Sequence, residues 1–250
     1  MNITVKGIII SETDFSEHDK YITLLTYDHG KISVLCRGVR RKNAPLANKT
    51  RLFAFAEFEL FTNKNRYILN DVLLIERFFE ITEDIEHFAI CSYFVQLASK
   101  LCDEDHVNIE VTRTLISSLY AVAKQKKTPK LVKCALELRL IAHSGFHPVI
   151  DRCGICDKKS GLAQPYFDTI NGCICCSECL IDINSPHVMP ITQGVLHAMY
   201  HILTCDLDKL YSFNLGERGF NILYNLCEDF VLTQTDYKFK TLDFYKSIGG

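Results

Sequence analysis

Two pairs of closely spaced cysteines constrain this chain more than any other feature of its sequence. Each pair has the pattern C-x2-C, as Cys153-Gly-Ile-Cys156 and Cys176-Ser-Glu-Cys179, and nineteen residues separate the pairs. Two such knuckles can place four thiolates tetrahedrally around one ion, which is how proteins hold structural zinc. Because four sulfur ligands leave no coordination position for a substrate, the pattern predicts one structural Zn²⁺ and places the function elsewhere.

The second knuckle has an alternative. Cys173 and Cys176 also form a C-x2-C pair, sixteen residues after Cys156, and Cys175 lies between them. That spacing also suits a zinc site, so the residues alone leave Cys173 and Cys175 open as substitute ligands.

The composition predicts a globular protein of two domains. The chain has 250 residues, of which 48% are hydrophobic and 23% charged. Its first residues lack the pattern of a secretory signal peptide, and no apolar run is long enough to cross a membrane. We therefore expect a cytoplasmic protein without membrane contact, whose cysteines outside the knuckles are reduced, buried thiols. These are Cys36, Cys91, Cys102, Cys134, Cys205 and Cys227.

The first eighty residues have the pattern of a small β-barrel. Short segments rich in β-branched and aromatic residues predict five strands, at residues 3–10, 21–27, 31–36, 53–61 and 67–75. The turn Asp28-His29-Gly30 suits a hairpin, because glycine tolerates a positive φ. Five such strands predict an OB-fold over residues 1–80.

The remainder of the chain has helical periodicity. We predict helices from residue 82, over 108–124, over 128–145, from 192 and after 214, where Asn214 and Glu217 have capping-box spacing. The predicted fold is therefore α+β and multidomain, with a helical domain at 81–250 that contains a zinc-binding segment at 150–182.

A strongly basic segment lies inside the predicted barrel. No acidic residue occurs between Asp28 and Glu57. Cations there would neutralise phosphates and give salt-dependent binding of nucleic acid, whereas the alternative is a solvated loop. The stretch 43–48 resembles a flexible loop that could become ordered on nucleic acid. The candidate contacts are Arg37, Arg40, Arg41, Lys42, Lys49 and Arg51. Tyr21, Phe53, Phe55 and Phe58 are candidates for base stacking, with barrel core as the alternative.

Three stretches near the N-terminus resemble one protein family. They are Phe15-Ser-Glu-His-Asp-Lys-Tyr-Ile-Thr-Leu-Leu-Thr26, His29-Gly-Lys31 and Cys36-Arg-Gly-Val-Arg-Arg41. Together with the order of barrel, helices and four-cysteine insert, they resemble RecO, a bacterial family of DNA repair and recombination mediators.

The resemblance implies functions that spacing does not show. It implies binding of single- and double-stranded DNA and annealing of complementary strands. It also implies interaction with RecR and with the C-terminal tail of single-strand-binding protein, and an indirect role in loading RecA. The implied location is the bacterial cytoplasm, in association with the nucleoid. By the same resemblance, Arg37, Arg40, Arg41 and Lys42 contact DNA, and Cys176 and Cys179 are preferred as the second pair of zinc ligands.

No motif for covalent chemistry is evident in the sequence. A P-loop, a zinc-protease helix and a zinc-deaminase signature are all lacking, which predicts a protein that is not an enzyme. Two alternatives stay open. One is a zinc-stabilised adaptor that binds only proteins, and the other is an enzyme with an unrecognised site.

Overall fold

The structure is a computed structural model that describes residues 1–64, 66–104, 106–159, 164–180 and 185–249. It forms two compact units, of which unit 1 comprises Met1–Lys126 with Lys240–Gly250 and unit 2 comprises Lys127–Phe239. Within the predicted zinc-binding segment, residues 160–163 and 181–182 lie outside the described residues.

The strands and α-helices of the described residues follow one another in this order: β1 (Asn2–Asp14), β2 (Lys20–Thr26), β3 (Lys31–Cys36), β4 (Phe55–Asn63), β5 (Arg66–Glu76), α1 (Phe79–Glu83), α2 (Ile85–Leu101), α3 (Ile109–Ala123), α4 (Pro129–His143), β6 (Val149–Cys153), β7 (Tyr166–Asp168), β8 (Cys173–Cys175), β9 (Val188–Pro190), α5 (Gln193–Thr204), α6 (Glu217–Thr235) and α7 (Lys240–Ser247). A short 3-10 helix, Leu207–Lys209, lies between α5 and α6.

The five strands of unit 1 close into a barrel in the order β1-β2-β3-β5-β4, with β4 paired to β1. All pairings are antiparallel except that between β3 and β5. The predicted hairpin between β2 and β3 is confirmed, and Gly30 there has a φ of 65°. A Cβ atom on Gly30 would lie 2.5 Å from the carbonyl oxygen of His106, so only glycine fits.

The barrel interior is filled by alternate residues of its strands. Val5, Ile22, Leu24, Val34 and Phe58 are all fully buried there. Alternation of this kind is expected for strands with one face in the core and one face toward solvent. The outward-facing positions of the barrel are therefore available for polar and aromatic side chains with other roles.

Helices α1, α2, α3 and α7 complete unit 1. The side chain of Asp84 caps α2 by accepting hydrogen bonds from the backbone N–H groups of Glu86 and His87, at 2.8 and 3.0 Å. Helix α7 packs against α2, where the Thr241 hydroxyl donates to Gln96 Oε1 at 2.5 Å. The sequence did not predict α7, because its eight residues have few apolar positions of their own.

Unit 2 combines α4, α5 and α6 with a small sheet in the order β6-β8-β7-β9. Pro129 begins α4 as predicted. The predicted capping box at Asn214 is wrong, because α6 begins at Glu217 and its N-cap is Gly216. The four short strands around the cysteine knuckles were also not predicted, since each has only three to five residues.

Candidate nucleic-acid interface and metal centre

Residues 37–51, which we call the basic arm, leave the barrel at the end of β3 and return just before β4. The arm, including the loop expected at 43–48, consists of hydrogen-bonded turns. Ala44 N donates to the carbonyl of Arg41 and Ala47 N to that of Ala44, both at 3.1 Å. Val39 and Thr50 are buried, so the arm is anchored at both ends.

The candidate cations of the arm differ in how they are paired. Arg40 binds Asp14 at 2.9 Å and also donates to the carbonyl of Ser16. Lys49 donates to the carbonyl of Val72 at 2.8 Å and lies 3.9 Å from Asp71. The other four are exposed and have no carboxylate within ion-pair distance among the described residues. These four are Arg37, Arg41, Lys42 and Arg51.

Arg37 also lines a cleft on the outer surface of the barrel, which we call the β5 cleft. Its volume is about 590 Å³, within the roughly 300–1,000 Å³ typical of ligand pockets. The side chains that line it include one further arginine and several aromatic rings, and no acidic residue is among them in the described part of the chain. The lining residues used below are Tyr21, Arg37, Phe61, Arg66 and Tyr67.

Sequence reasoning found Tyr21 and Arg37 but missed the remaining three. Phe61, Arg66 and Tyr67 lie at the turn of the β4–β5 hairpin, and the parallel pairing of Val34 with Tyr67 brings this turn beside β3. No local pattern reveals that pairing. The available signal was the alternation of β4, in which Phe58 and Leu60 share the inner face, so that the adjacent Phe61 falls on the outer face, where it is 39% exposed.

The other candidate stacking residues lie in the interior. Phe53 and Phe58 are fully buried, and Phe55 is 7% exposed. Their flat faces are therefore covered by protein. Phe58 lies in the barrel core, whereas Phe53 and Phe55 pack outside it, against Phe88 and Tyr27. Tyr21 is half-buried, with its ring 5.0 Å from that of Phe15 in an edge-on arrangement.

The structure brings together Cys153, Cys156, Cys176 and Cys179, whose four sulfur atoms all lie within 4.8 Å of one another. We call them the four-cysteine cluster. The sulfurs of Cys156 and Cys176 are 3.8 Å apart. Zn–S bonds of about 2.3 Å in a tetrahedron put ligand sulfurs about 3.8 Å apart. The cluster could therefore hold a metal ion without large rearrangement.

Each knuckle presents its sulfurs through a tight turn. Asp157 N donates to the carbonyl of Cys153 at 3.0 Å, and Cys179 N to that of Cys176 at 3.1 Å. The salt bridge between Lys158 and Glu178, at 3.1 Å, joins the two turns.

Backbone N–H groups also point at one of these sulfurs. Cys176 N lies 3.4 Å from Cys153 Sγ. Burial acts to raise the pKa of the Cys153 thiol, but N–H donors of Cys156, Cys176 and Ile155 outweigh it and lower the pKa to about 6. A thiolate stabilised in this way is suited to metal binding.

The two alternative ligands lie beside the cluster but outside it. Cys173 and Cys175 are buried on β8, with their sulfurs 3.9 Å apart. Cys173 packs so closely on the first knuckle that a Cβ atom on Gly154 would lie 2.5 Å from its sulfur. This contact explains the glycine within the knuckle and gives Cys173 a packing role.

The six remaining cysteines are dispersed through both units. Five are buried and Cys205 is half-buried. Burial raises the pKa of the Cys36 thiol to about 12, so this group is protonated at neutral pH. Within the described ranges, no helix combines the length and apolar character needed to cross a bilayer.

A closed barrel with a cationic arm, followed by helices and a four-cysteine cluster, defines a class of protein with a surface suited to polyanions and a site suited to a structural metal. Comparison with known families places the chain more closely. Residues 1–78 match the model described as recombination protein O N terminal, and residues 82–243 match recombination protein O C terminal. The chain therefore belongs to the RecO family of DNA repair proteins.

Curated relatives agree over nearly the full chain. A DNA repair protein RecO of Caldicellulosiruptor saccharolyticus is 28% identical, over 98% of this chain and 98% of the relative. Another, of Acetivibrio thermocellus, is 26% identical over 98% and 97%. A third, of Clostridium acetobutylicum, is 25% identical over 90% of each chain.

Proposed function

We propose that this protein binds single- and double-stranded DNA through the barrel and its basic arm, and that it promotes annealing of complementary strands without covalent chemistry. The observation that carries this proposal is the set of four exposed arm cations without carboxylate partners in the described chain. Such charges attract phosphates, and their binding releases counterions from the nucleic acid.

The β5 cleft supports a preference for unpaired bases. It combines the cations Arg37 and Arg66 with the rings of Tyr21, Phe61 and Tyr67. Alternation of cations and aromatic rings is the usual arrangement for single strands, in which bases stack on rings while phosphates contact cations. A duplex keeps its bases stacked on one another, so it would contact the arm through phosphates alone. The cleft position also agrees with ligand binding on OB-folds.

Annealing follows from the same two features. Neutralisation of phosphates lowers the repulsion between two strands, and bases held on an open surface remain available for pairing. No step of this process requires a nucleophile, a general base or a metal with an open coordination position.

Titration of labelled single-stranded DNA at several salt concentrations tests the proposal. The variant Arg41→Ala/Lys42→Ala removes two unpaired charges, so the plot of log affinity against log salt should flatten by about 0.7 for each lost contact. A matched control is Arg113→Ala, because Arg113 is an exposed arginine of α3 that pairs with Glu110.

Two results would oppose the proposal. An unchanged slope in the double variant removes the arm from the interface. Absence of DNA affinity in the unaltered protein at physiological salt favours a zinc-stabilised adaptor that binds only proteins.

We also propose that the four-cysteine cluster holds one structural Zn²⁺. The mutual distances of the sulfurs and the N–H groups directed at Cys153 support a closed tetrahedral site. Metal analysis of the purified protein should give about one zinc per chain. A cobalt-substituted sample would reveal an open coordination position through its absorption spectrum, and such a position would oppose a purely structural role.

The protein partners form a further part of the proposal. We propose that the chain binds RecR and the C-terminal tail of single-strand-binding protein, and thereby assists the loading of RecA. Membership of a DNA repair family supports this. A pull-down with purified RecR and with the tail peptide tests it, and lack of capture in both would restrict the function to DNA alone.

A further inference from the structure

A second surface cavity of unit 1 lies at the other end of the basic arm. Its volume is about 360 Å³, and we call it the Phe79 bowl. Arg51, the last cation of the arm, lines it together with Arg77, Phe79 and Phe88. Only Arg51 of these four is a candidate contact from the sequence, so the bowl is not explained by the predicted interface.

The charge of the bowl is positive. Arg51 and Arg77 have no carboxylate within ion-pair distance among the residues that the structure describes. One acidic residue, Glu12, also lines the cavity. Its carboxylate accepts hydrogen bonds from Lys20 Nζ at 2.5 Å and from Leu52 N at 2.6 Å, so its charge is offset from within the protein.

Two acidic residues that follow the barrel, Glu76 and Glu80, are also paired. Lys124 Nζ lies 3.5 Å from Glu76 and 2.7 Å from Glu80. These two carboxylates are therefore occupied by a lysine of α3, and the arginines of the bowl remain available for an anion from outside.

The rings of the bowl are exposed and held in place. Phe79 is 51% exposed and Phe88 is 38% exposed. The ring of Phe88 rests edge-on against buried Phe53, with 5.9 Å between centroids. The guanidinium of Arg77 lies 5.7 Å from the centroid of Phe79. A cation beside an exposed ring can contact a phosphate while the ring stacks on its base.

The bowl is separate from the β5 cleft. The cleft lies at the turn of the β4–β5 hairpin, near Phe61, and the bowl lies at its open end, near Phe53. Strand β4 runs between these two ends, and the six residue steps from Phe55 to Phe61 span about 20 Å at about 3.3 Å per residue. One nucleotide cannot occupy both cavities.

We propose that the Phe79 bowl is a second subsite for single-stranded nucleic acid. The inference rests on the proposed DNA binding and adds Arg77, Phe79 and Phe88 to the interface. Phosphates contact Arg51 and Arg77, while an unpaired base stacks on Phe79. A duplex is not accommodated in this way, because its bases are already stacked.

Photo-crosslinking of the full chain tests the proposal directly. The probe is a thymidine oligonucleotide of ~16 nucleotides with iododeoxyuridine at single positions, and mass spectrometry identifies the attached peptides. We expect crosslinks at Phe79 or Phe88 as well as within the β5 cleft. Because this experiment uses the unaltered protein, its result does not depend on the folding of a variant.

A variant measures how much the subsite contributes to the affinity for the oligonucleotide. Arg77→Ala/Phe79→Ala should weaken binding of the same oligonucleotide about tenfold, which is the effect of losing one stacked base. The control Arg113→Ala/Ile85→Ala removes an exposed arginine and an exposed aliphatic side chain from outside the bowl. It should bind within about twofold of the unaltered protein, as surface changes away from an interface do.

The outcomes distinguish the subsite from the proposed function. Crosslinks confined to the β5 cleft, with unchanged affinity in the variant, overturn the subsite and leave DNA binding intact. No binding by the unaltered protein overturns both. Binding of an aspartate-rich peptide that is lost in Arg77→Ala/Phe79→Ala, without loss of oligonucleotide binding, makes the bowl a peptide site and overturns the proposal.

Discussion

The basic arm and the four-cysteine cluster each contain four chemically similar side chains, but these side chains point outward in the arm and toward one another in the cluster. The arm holds four exposed cations that have no carboxylate partner within the described chain. The cluster directs four sulfurs toward one another within 4.8 Å. Cations that repel one another at a surface can be neutralised by an anionic ligand from outside, whereas thiolates that converge on one point can be neutralised by a metal ion between them. Under the proposed function, the arm would bind DNA and the cluster would stabilise the fold.

The pairing of charges gives a second comparison, between a buried lysine of unit 2 and the exposed cations of the arm. In unit 2, Lys133 is fully buried between Glu137 and Glu228, both at 3.0 Å. Its ammonium also lies 4.1 Å from the centroid of the Tyr224 ring. Burial of a charge is tolerated only with such complete pairing. This buried, internally paired lysine contrasts with the four exposed cations of the arm.

Loss of one cluster sulfur should have the largest effect. If the cluster holds zinc as proposed, Cys153→Ser removes one ligand, and with it much of the binding free energy of roughly 10 kcal/mol that structural zinc contributes to folding. We expect loss of zinc and unfolding of unit 2 at a lower denaturant concentration, measured by metal analysis and circular dichroism.

Two neighbouring cysteines serve as controls. Cys173→Ser and Cys175→Ser change buried thiols of β8 that lie outside the cluster. Both variants should keep about one zinc per chain. Loss of zinc in either, with retention in Cys179→Ser, would identify a different fourth ligand.

The buried charge network gives the next largest effect. Lys133→Met leaves two carboxylates near one another without their cation, which should lower the free energy of unfolding by about 3–5 kcal/mol. Urea denaturation measures it. Lys130→Met on the same helix is the control, because Lys130 is exposed and should change stability by less than about 0.5 kcal/mol. Equal stability in the two variants would contradict the structural role of the network.

Aromatic stacking in the β5 cleft should have a moderate effect on binding. Tyr67→Leu keeps an apolar side chain against the core but removes the ring, which should weaken binding of single-stranded DNA by about 1–3 kcal/mol. Tyr67→Phe keeps the ring and should bind normally. If both variants bind as the unaltered protein does, bases do not stack at this position. Duplex binding should change little in either.

Local features were predictable from the sequence. The cysteine knuckles, the hairpin turn at Gly30 and the start of α4 at Pro129 each depend on a few adjacent residues with restricted geometry. Their physical causes, which are ligand spacing, positive φ and a fixed proline φ, act within one turn of chain.

Features that depend on distant pairing were not predictable. Tyr67 lines the cleft because its strand pairs in parallel with β3 at Val34. Phe79 lines the bowl because it follows the end of β5, which lies near Arg51. Helix α7 is stabilised by its contact with α2 rather than by its own sequence. A single sequence contains no local signal for contacts of this kind, so the predicted site covered the arm and Tyr21 but missed the rings of Phe61, Tyr67, Phe79 and Phe88.

The smallest predicted effect concerns Arg40, the one arginine of the arm that is paired. Its partner Asp14 is 68% exposed and the pair lies at the surface, where such a bond contributes less than about 1 kcal/mol. Asp14→Asn should therefore leave stability nearly unchanged while releasing Arg40 toward phosphates. The expected result is slightly tighter binding of single-stranded DNA and a salt dependence steeper by about 0.7.

Asp28→Asn is the control, since Asp28 is an exposed aspartate whose ion-pair partner is His29. A steeper slope in both variants would indicate a general effect of net charge, and an unchanged slope in Asp14→Asn would mean that Arg40 faces away from the bound strand even when it is free.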